Sequence, residues 1–402
     1  MPGLLVMSRM NRRRLLAASP AAFVASGSQV WAAGKRRVGV IGHTGRGNYG
    51  HGLDTVWIKH SGTEIVGVAD ADERGLEKAV SRLNSSAGFR DYREMLRQTR
   101  PEFVSVAPRH VDQRLEMVLA AIEAGARGLY VEKPFCRTPA EADQILAAAK
   151  DKGVKIAVAH RNRYHPALGV IDKAIKDGKL GRLLELRGHG LGDRRGGGED
   201  LWVLGSHVLN LFHYFGGGPV SCSAIILKGG KPVTGKDVKK GAEGLGLIAG
   251  DEIHASWLLS SGLRASYTTH TNDGSNKLGY AAHLIGTKAS VSIHIDRDPV
   301  AWFYPGNPFN PASRKEPRIP ITTSGIGKKE GQLELVAKVH NHLLAVEDLV
   351  QAVDEDRPPL CDGKDGAVTV GMICGVFESH RREGARVPYP LEERGNALSK
   401  LP

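Results

Sequence analysis

The run A-R-G-L-Y-V, residues 126–131, stops on Glu132, Lys133 and Pro134. An apolar segment that ends on two charges is either leaving the core or delivering those charges to a site. A lysine ammonium there brings three donors and a point charge that stabilises negative oxygen. A second chemically capable residue is His207, embedded in D-L-W-V-L-G-S-H-V-L-N-L-F-H-Y-F, residues 200–215. Its imidazole has an unperturbed pKa near neutrality and suits proton transfer, although a histidine on an apolar helix also serves as a satisfied core residue. A third is Asp70, which closes T-E-I-V-G-V-A-D at residues 63–70. Ahead of it, Gly42 is followed by Gly45-x-Gly47-x-x-Gly50.

These residues need elements to carry them. K-R-R-V-G-V-I-G, residues 35–42, reads as a β-strand ending on glycine, and the apolar stretch Leu53–Ile58 reads as the helix after it. Strand, glycine-rich turn and helix in that order suit a dinucleotide, because glycine lets the backbone approach a pyrophosphate and a helix start supplies N–H donors. The loop is longer than the usual spacing, and a plain glycine-rich turn remains open. Asp70 at the tip of the second strand can accept hydrogen bonds from ribose hydroxyls and would repel a 2′-phosphate, favouring NAD over NADP. It can equally cap the helix that begins near Asp72.

The alternation continues. P-E-F-V-S-V-A-P (101–108) reads as a strand and V-D-Q-R-L-E-M-V-L-A-A-I-E-A-G (111–125) as a helix stopped by Gly125. The run into Lys133, a helix over 138–150 and the strand V-K-I-A-V-A-H ending on His160 complete the series. Repeated βα units predict a doubly wound parallel sheet whose ligand lies at the strand C-termini, where Glu132 and Lys133 fall.

The chain has 402 residues, 41% hydrophobic and 24% charged, enough for two domains. The expected division is a nucleotide-binding Rossmann domain over 34–160, an α+β domain with a large open, mainly antiparallel sheet over 161–390, and a tail over 391–402. Strands are expected from about Leu245 to Ile295, and residues 300–331, rich in Pro, Gly, Ser and Lys, read as a long loop. Net charge is +12, but Lys and Arg are scattered, so nucleic acid is not the expected partner. The four cysteines show no metal-ligand spacing, and buried free thiols are expected. Arg12-Arg13-Arg14, a short weak apolar stretch and small residues to Ala33 read as a twin-arginine-like export signal over 1–33, placing the protein in the periplasm with no stable membrane anchor.

With its glycine turn, Asp70, V-S-V-A-P-R-H (104–110), the helix end E-A-G-A and Glu132-Lys133-Pro134, the chain resembles the Gfo/Idh/MocA oxidoreductases over nearly all of the sequence after residue 33. The resemblance implies cofactor contacts from Gly42, Gly45, Gly47, Asp70, Pro108, Glu132 and Lys133. It puts Lys133 between nicotinamide and substrate, with a cis bond before Pro134. It makes His207 the acid/base, with Arg163, Tyr164 and Asp200 beside the substrate, and implies no metal. The family's usual aspartate four residues before that histidine is Val203 here, and a second, three residues after, is Asn210. Asp200, two helical turns before His207, is the expected partial replacement. The implied function is NAD-dependent oxidoreduction of a hydroxyl or keto carbon on a sugar, sugar derivative or polyol, in a dimer or tetramer joined through the C-terminal sheet. The alternatives are a glycoside hydrolase that uses tightly bound NAD by transient oxidation and elimination, and a nucleotide-binding protein with degraded catalysis.

Overall fold

Short β-branched runs build the first sheet, as two buried faces require. A computed structural model of the protein describes residues 34–277, 279–310 and 317–402. The export signal read at 1–33 lies outside the described residues. Strands β1 (Arg36–Ile41), β2 (Thr63–Ala69), β3 (Gly88–Phe89), β4 (Phe103–Val106), β5 (Gly128–Val131) and β6 (Lys155–Val158) form a sheet in the order β3-β2-β1-β4-β5-β6. All its pairings are parallel. Strand order reverses between β1 and β4, which sets the ligand crevice at their C-terminal ends.

The connecting helices are α1 (Val56–Lys59), α2 (Glu73–Leu83), α3 (Tyr92–Thr99), α4 (Arg114–Glu123) and α5 (Pro139–Lys152). Caps fix their starts: Asp72 accepts from Gly75 N at 2.6 Å and Thr138 from Glu141 N at 3.2 Å, each satisfying an otherwise orphan donor. The helix expected from Leu53 is only one turn. Residues 43–50 instead fold back as a loop in which His43 and Asn48 exchange backbone hydrogen bonds of 3.0 Å, so this loop, not a helix start, faces the crevice.

In the second half come α6 (Ala167–Lys176), β7 (Leu183–His189), α7 (Gly196–Asp200) and α8 (Ser206–Gly216). The strands after them are β8 (Pro219–Lys228), β9 (Lys231–Pro232), β10 (Lys239–Lys240), β11 (Leu247–Ile248), β12 (Glu252–Leu259), β13 (Arg264–His270), β14 (Ala281–Gly286) and β15 (Ala289–His294). The chain ends with β16 (Ala301–Pro305), β17 (Ile319–Thr322), β18 (Gly325–Ile326), α9 (Leu333–His340), α10 (Leu343–Asp354), α11 (Gly363–Arg381) and β19 (Val387–Pro388). Among the described residues, the large sheet runs β18-β17-β16-β15-β14-β7-β13-β12-β8-β19, with β9 beside β8. It is antiparallel except where β7 lies parallel to β13.

The loop expected over 300–331 is corrected: β16, β17 and β18 extend the sheet through it. Trp302, Phe303 and Tyr304 supply β-forming residues, and pairing of Ser292 with Trp302 in β15 and β16 decides their structure; the proline and glycine content had masked them. The four cysteines are free and buried.

Helix α11 ties the two sheets together, touching α5 and β6 on one side and α8 and β8 on the other. The approach is close: a Cβ added at Gly366 would lie 2.9 Å from Phe135 and 3.0 Å from Val158. Replacing Gly366 with Leu must therefore push α11 away from β6, and overpacking of this kind costs roughly 1–3 kcal/mol. Thermal unfolding of Gly366→Leu should show a Tm lower by several degrees; an unchanged Tm would mean that α11 has room to move.

Candidate active site

Lys133 follows β5 by two residues and is buried, 6% exposed. The Lys133–Pro134 peptide is cis. Its Nζ donates to the carbonyl of Val203 at 3.0 Å. That carbonyl is available because Leu201–Gly205, expected as ordinary α-helix, forms a π-helical turn between α7 and α8, a widening that recurs at functional sites. The position where the resembling family carries an aspartate thus contributes its backbone oxygen.

His207 sits one turn beyond, 7% exposed, and its Nδ1 lies 3.4 Å from Nδ1 of His160. The two rings stand edge to face. Burial, then the Lys133 ammonium and His160, hold the His207 imidazole well below its ordinary pKa. Burial, then Lys133 and Arg163, lower His160 to about 3. Burial also lowers Lys133 below the usual lysine value, against the pull of Glu132. The resting cluster is therefore an ammonium beside two neutral imidazoles, and neutral His207 can take a proton.

Arg114 holds this geometry. It opens α4, is 0% exposed, and donates to the carbonyls of Pro108 at 2.5 Å, Pro134 at 3.0 Å and Glu132. One guanidinium thus ties the end of β4 to the turn that carries Lys133; its burial lowers its own pKa to about 10. Pro108 acts here through that carbonyl. Glu132 is 1% exposed; its Oε2 accepts from Lys133 N at 3.1 Å, and its Oε1 has no hydrogen-bond partner among the described residues. His51 of the glycine loop lies 3.9 Å from that oxygen.

The structure places other expected residues differently. Asp70 is 1% exposed and its carboxylate accepts from Thr44 N at 3.0 Å, Thr44 Oγ1 at 2.7 Å, Tyr49 Oη at 2.8 Å and Asp72 N at 3.0 Å. It pins the loop to β2, so a ribose hydroxyl would have to displace Tyr49 or Thr44. The Tyr49 ring also covers Gly42, where an added Cβ would fall 2.0 Å from it. Gly47 has φ +86 and packs against the Arg109 backbone, while Gly45 is exposed at the loop tip. A cleft of about 420 Å³ opens beside the loop, lined by Thr44, Tyr49, Asp72, Arg74, Lys78 and Arg82. It lies at the Asp70 end, apart from Lys133 and His207.

Asp200 is a core residue. It is 0% exposed and accepts from Tyr267 Oη at 2.8 Å, Thr269 Oγ1 at 2.7 Å and Leu191 N at 3.3 Å. Arg163 donates to Asn210 Oδ1 at 3.0 Å and the Leu360 carbonyl at 3.2 Å, and Tyr164 Oη accepts from Cys361 N at 3.3 Å. These contacts join α8 to the start of α11, and Arg163 acts on the cluster through its charge beside His160. Residues that sequence reasoning passed over are Arg114, His160, Arg161, Tyr280 and Asp296. His160, two residues past β6, carried the same strand-end signal as Lys133. The others had none, because they meet only through the fold.

Family models described as "Oxidoreductase family, NAD-binding Rossmann fold" and "Oxidoreductase family, C-terminal alpha/beta domain" match residues 36–160 and 172–389. The chain belongs to the Gfo/Idh/MocA oxidoreductases. Levoglucosan dehydrogenase of Pseudarthrobacter phenanthrenivorans is 25% identical over 260 residues, 57% of this chain and 65% of that protein. D-apiose dehydrogenase of Paraburkholderia graminis is 33% identical over 125 residues, 31% of this chain and 33% of that one. The chain thus matches one-third and just under two-thirds of these relatives' lengths. Levoglucosan dehydrogenase in complex with NADH and L-sorbose superposes with a TM-score of 0.70 and 20% identity, over 89% of this chain and 100% of that one. The shared fold is an N-terminal parallel sheet followed by a mixed, mostly antiparallel sheet.

The strand ends fit a dinucleotide. Within the loop the N–H groups of His43, Thr44, Gly45, Arg46, Asn48 and Gly50 are already hydrogen-bonded, and the open position is the buried Oε1 of Glu132, an acceptor for a donor group of the cofactor. Two measurements probe this geometry. Arg114→Leu strips three buried carbonyls of their donor and should cost roughly 3–5 kcal/mol in denaturant unfolding; a loss under 1 kcal/mol would show that the clamp is dispensable. Tyr49→Phe releases one of the groups that compete for Asp70, so calorimetric titration should show NAD bound about 2- to 10-fold more tightly. Weaker binding would make Tyr49 a ligand contact instead.

Proposed function

We propose that the chain is an NAD-dependent dehydrogenase that transfers hydride between the nicotinamide ring and a hydroxyl or keto carbon of a sugar, sugar derivative or polyol. The observation that carries this reading is the meeting of Lys133 and His207, from different domains, in one buried cluster at the strand C-termini. Bound NAD supplies the hydride acceptor. In the direction of oxidation His207 would take the O–H proton of the substrate carbinol, the C–H hydride being what such a cofactor would accept. Lys133 donates a hydrogen bond to the oxygen as negative charge develops on it. Depression of the His207 pKa keeps the base neutral through the physiological range. The lowered Lys133 pKa makes its ammonium easier to lose on the alkaline side than that of a free lysine.

The substrate class is supported by the names of the relatives, levoglucosan dehydrogenase and D-apiose dehydrogenase. NAD rather than NADP is supported by the buried carboxylate of Asp70, which repels a phosphate, and by solved neighbours whose complexes hold NADH. Export through the arginine-rich stretch at residues 12–14 and self-association through the open sheet face complete the proposal. Among the described residues no helix is long and apolar enough to cross a membrane.

The test is NADH formation by the full chain supplied with NAD and a panel of sugars, polyols and aryl glycosides. An oxidised sugar supports the proposal, whereas a released aglycone would make the protein a glycosidase. Lys133→Met should lower kcat/KM by about 10²–10³ or more while NAD binding stays within a few-fold of wild type. In the wild type, kcat/KM for oxidation should decline at alkaline pH below the usual lysine range as Lys133 loses its proton. Full activity in Lys133→Met would overturn the assignment.

A further inference from the structure

Val203 leaves His207 without the carboxylate that the resembling family supplies, and Asp200, committed to Tyr267 and Thr269, does not replace it. Another carboxylate reaches the cluster from the far side of the fold. Asp296 sits on the turn after β15 with φ +60, a left-handed conformation that non-glycine residues adopt at a cost and that concentrates at functional sites. Its Oδ2 accepts from Tyr280 Oη at 3.0 Å, and its Oδ1 accepts from Arg161 Nε at 3.0 Å and Asn162 Nδ2 at 3.3 Å. The Tyr280 ring lies 6.0 Å from the His207 ring, and Arg161 directly follows His160. The Asp296 side chain is 35% exposed, so its carboxylate stays partly hydrated.

We infer that Asp296 is the positioning carboxylate for His207 in this chain, acting through Tyr280 from the β15–β16 turn. The inference rests on the dehydrogenase reading of the same cluster. The charged and titratable groups that face His207 are Lys133, His160, Arg161 and Asp296. Two are cations and His160 is neutral, so Asp296 is the one group of the four whose charge favours an imidazolium. When His207 takes the substrate proton, it becomes a cation between Lys133 and Arg161, and the Asp296 carboxylate offsets that charge. Burial would raise the Asp296 carboxyl, but an imidazolium at His207, whenever one forms, and the Arg161 guanidinium outweigh it and hold its pKa below the usual carboxylate range. Tyr280 joins carboxylate and imidazole, its hydroxyl on one and its ring against the other. The Arg161 bridge fixes the carboxylate's direction.

The experiment compares full-length wild type, Asp296→Asn, Asp296→Glu and Asp200→Asn in NAD reduction with the sugar found above, across pH. For Asp296→Asn, kcat should fall about 100-fold, the lower end of what a positioned acid–base group contributes. Its acid limb should move to lower pH by about one unit, because loss of a nearby negative charge makes His207 a weaker base. Binding of NAD and Tm should stay at wild-type values, and Asp296→Glu should recover most of the rate. Asp200→Asn should lower Tm without moving the acid limb. A wild-type rate and pH profile in Asp296→Asn would overturn the inference while leaving the dehydrogenase reading standing. A lowered Tm with an unmoved acid limb would also overturn it, by making Asp296 structural. If the wild type itself reduces no NAD with any sugar, the dehydrogenase reading fails, and the inference falls with it.

Discussion

The structure turns on one buried cation. Arg114 has no exposure to water, yet it keeps its charge because three backbone carbonyls, from Pro108, Glu132 and Pro134, converge on it. A guanidinium suits this position because it is planar, stays protonated even when desolvated and carries donors in a fixed fork. Without it, the ends of β4 and β5 would expose unpaired carbonyls to a dry interior. With it, the turn carrying Lys133 is tied to the neighbouring strand, and the ammonium has a fixed origin from which to reach the second domain.

The second domain meets that ammonium with a carbonyl, not a carboxylate. The π-helical turn at Leu201–Gly205 presents the Val203 oxygen to Lys133 and sets His207 against His160. Desolvation does the rest: it discharges both imidazoles and makes the ammonium easier to lose, so one small volume holds a donor and a base at neutral pH. The side chain lost at residue 203 is thus less decisive than its position suggested, because the backbone there serves Lys133 while the charge beside His207 comes from Asp296.

The glycine loop shows the same division of labour. Asp70 lies at the strand tip where a ribose carboxylate is expected, but Thr44 and Tyr49 engage it, and the loop closes over β1 and β2. A short fingerprint loop leaves such a carboxylate free; the extra residues between Gly42 and Gly50 bring their own donors to it. Binding of a dinucleotide here is therefore an exchange of hydrogen bonds, with a net free energy smaller than the count of contacts implies.

The sequence by itself determined the periodicities. Apolar runs alternating with amphipathic helices specify a parallel sheet, and the common direction of its strands places Glu132, Lys133 and His160 at one edge. Those features are local, set by spacing within a few residues, and they were legible in Glu132-Lys133-Pro134 and in the strand and helix runs at residues 101–108 and 111–125. Tertiary structure alone decided which carboxylate serves His207, whether Asp70 is free, and whether residues 301–326 form strands. Each depends on partners far apart in the chain, as Asp296 does on Arg161, 135 residues away. Side-chain type fixes what a residue can do, but whether it does so depends on which donors reach it first.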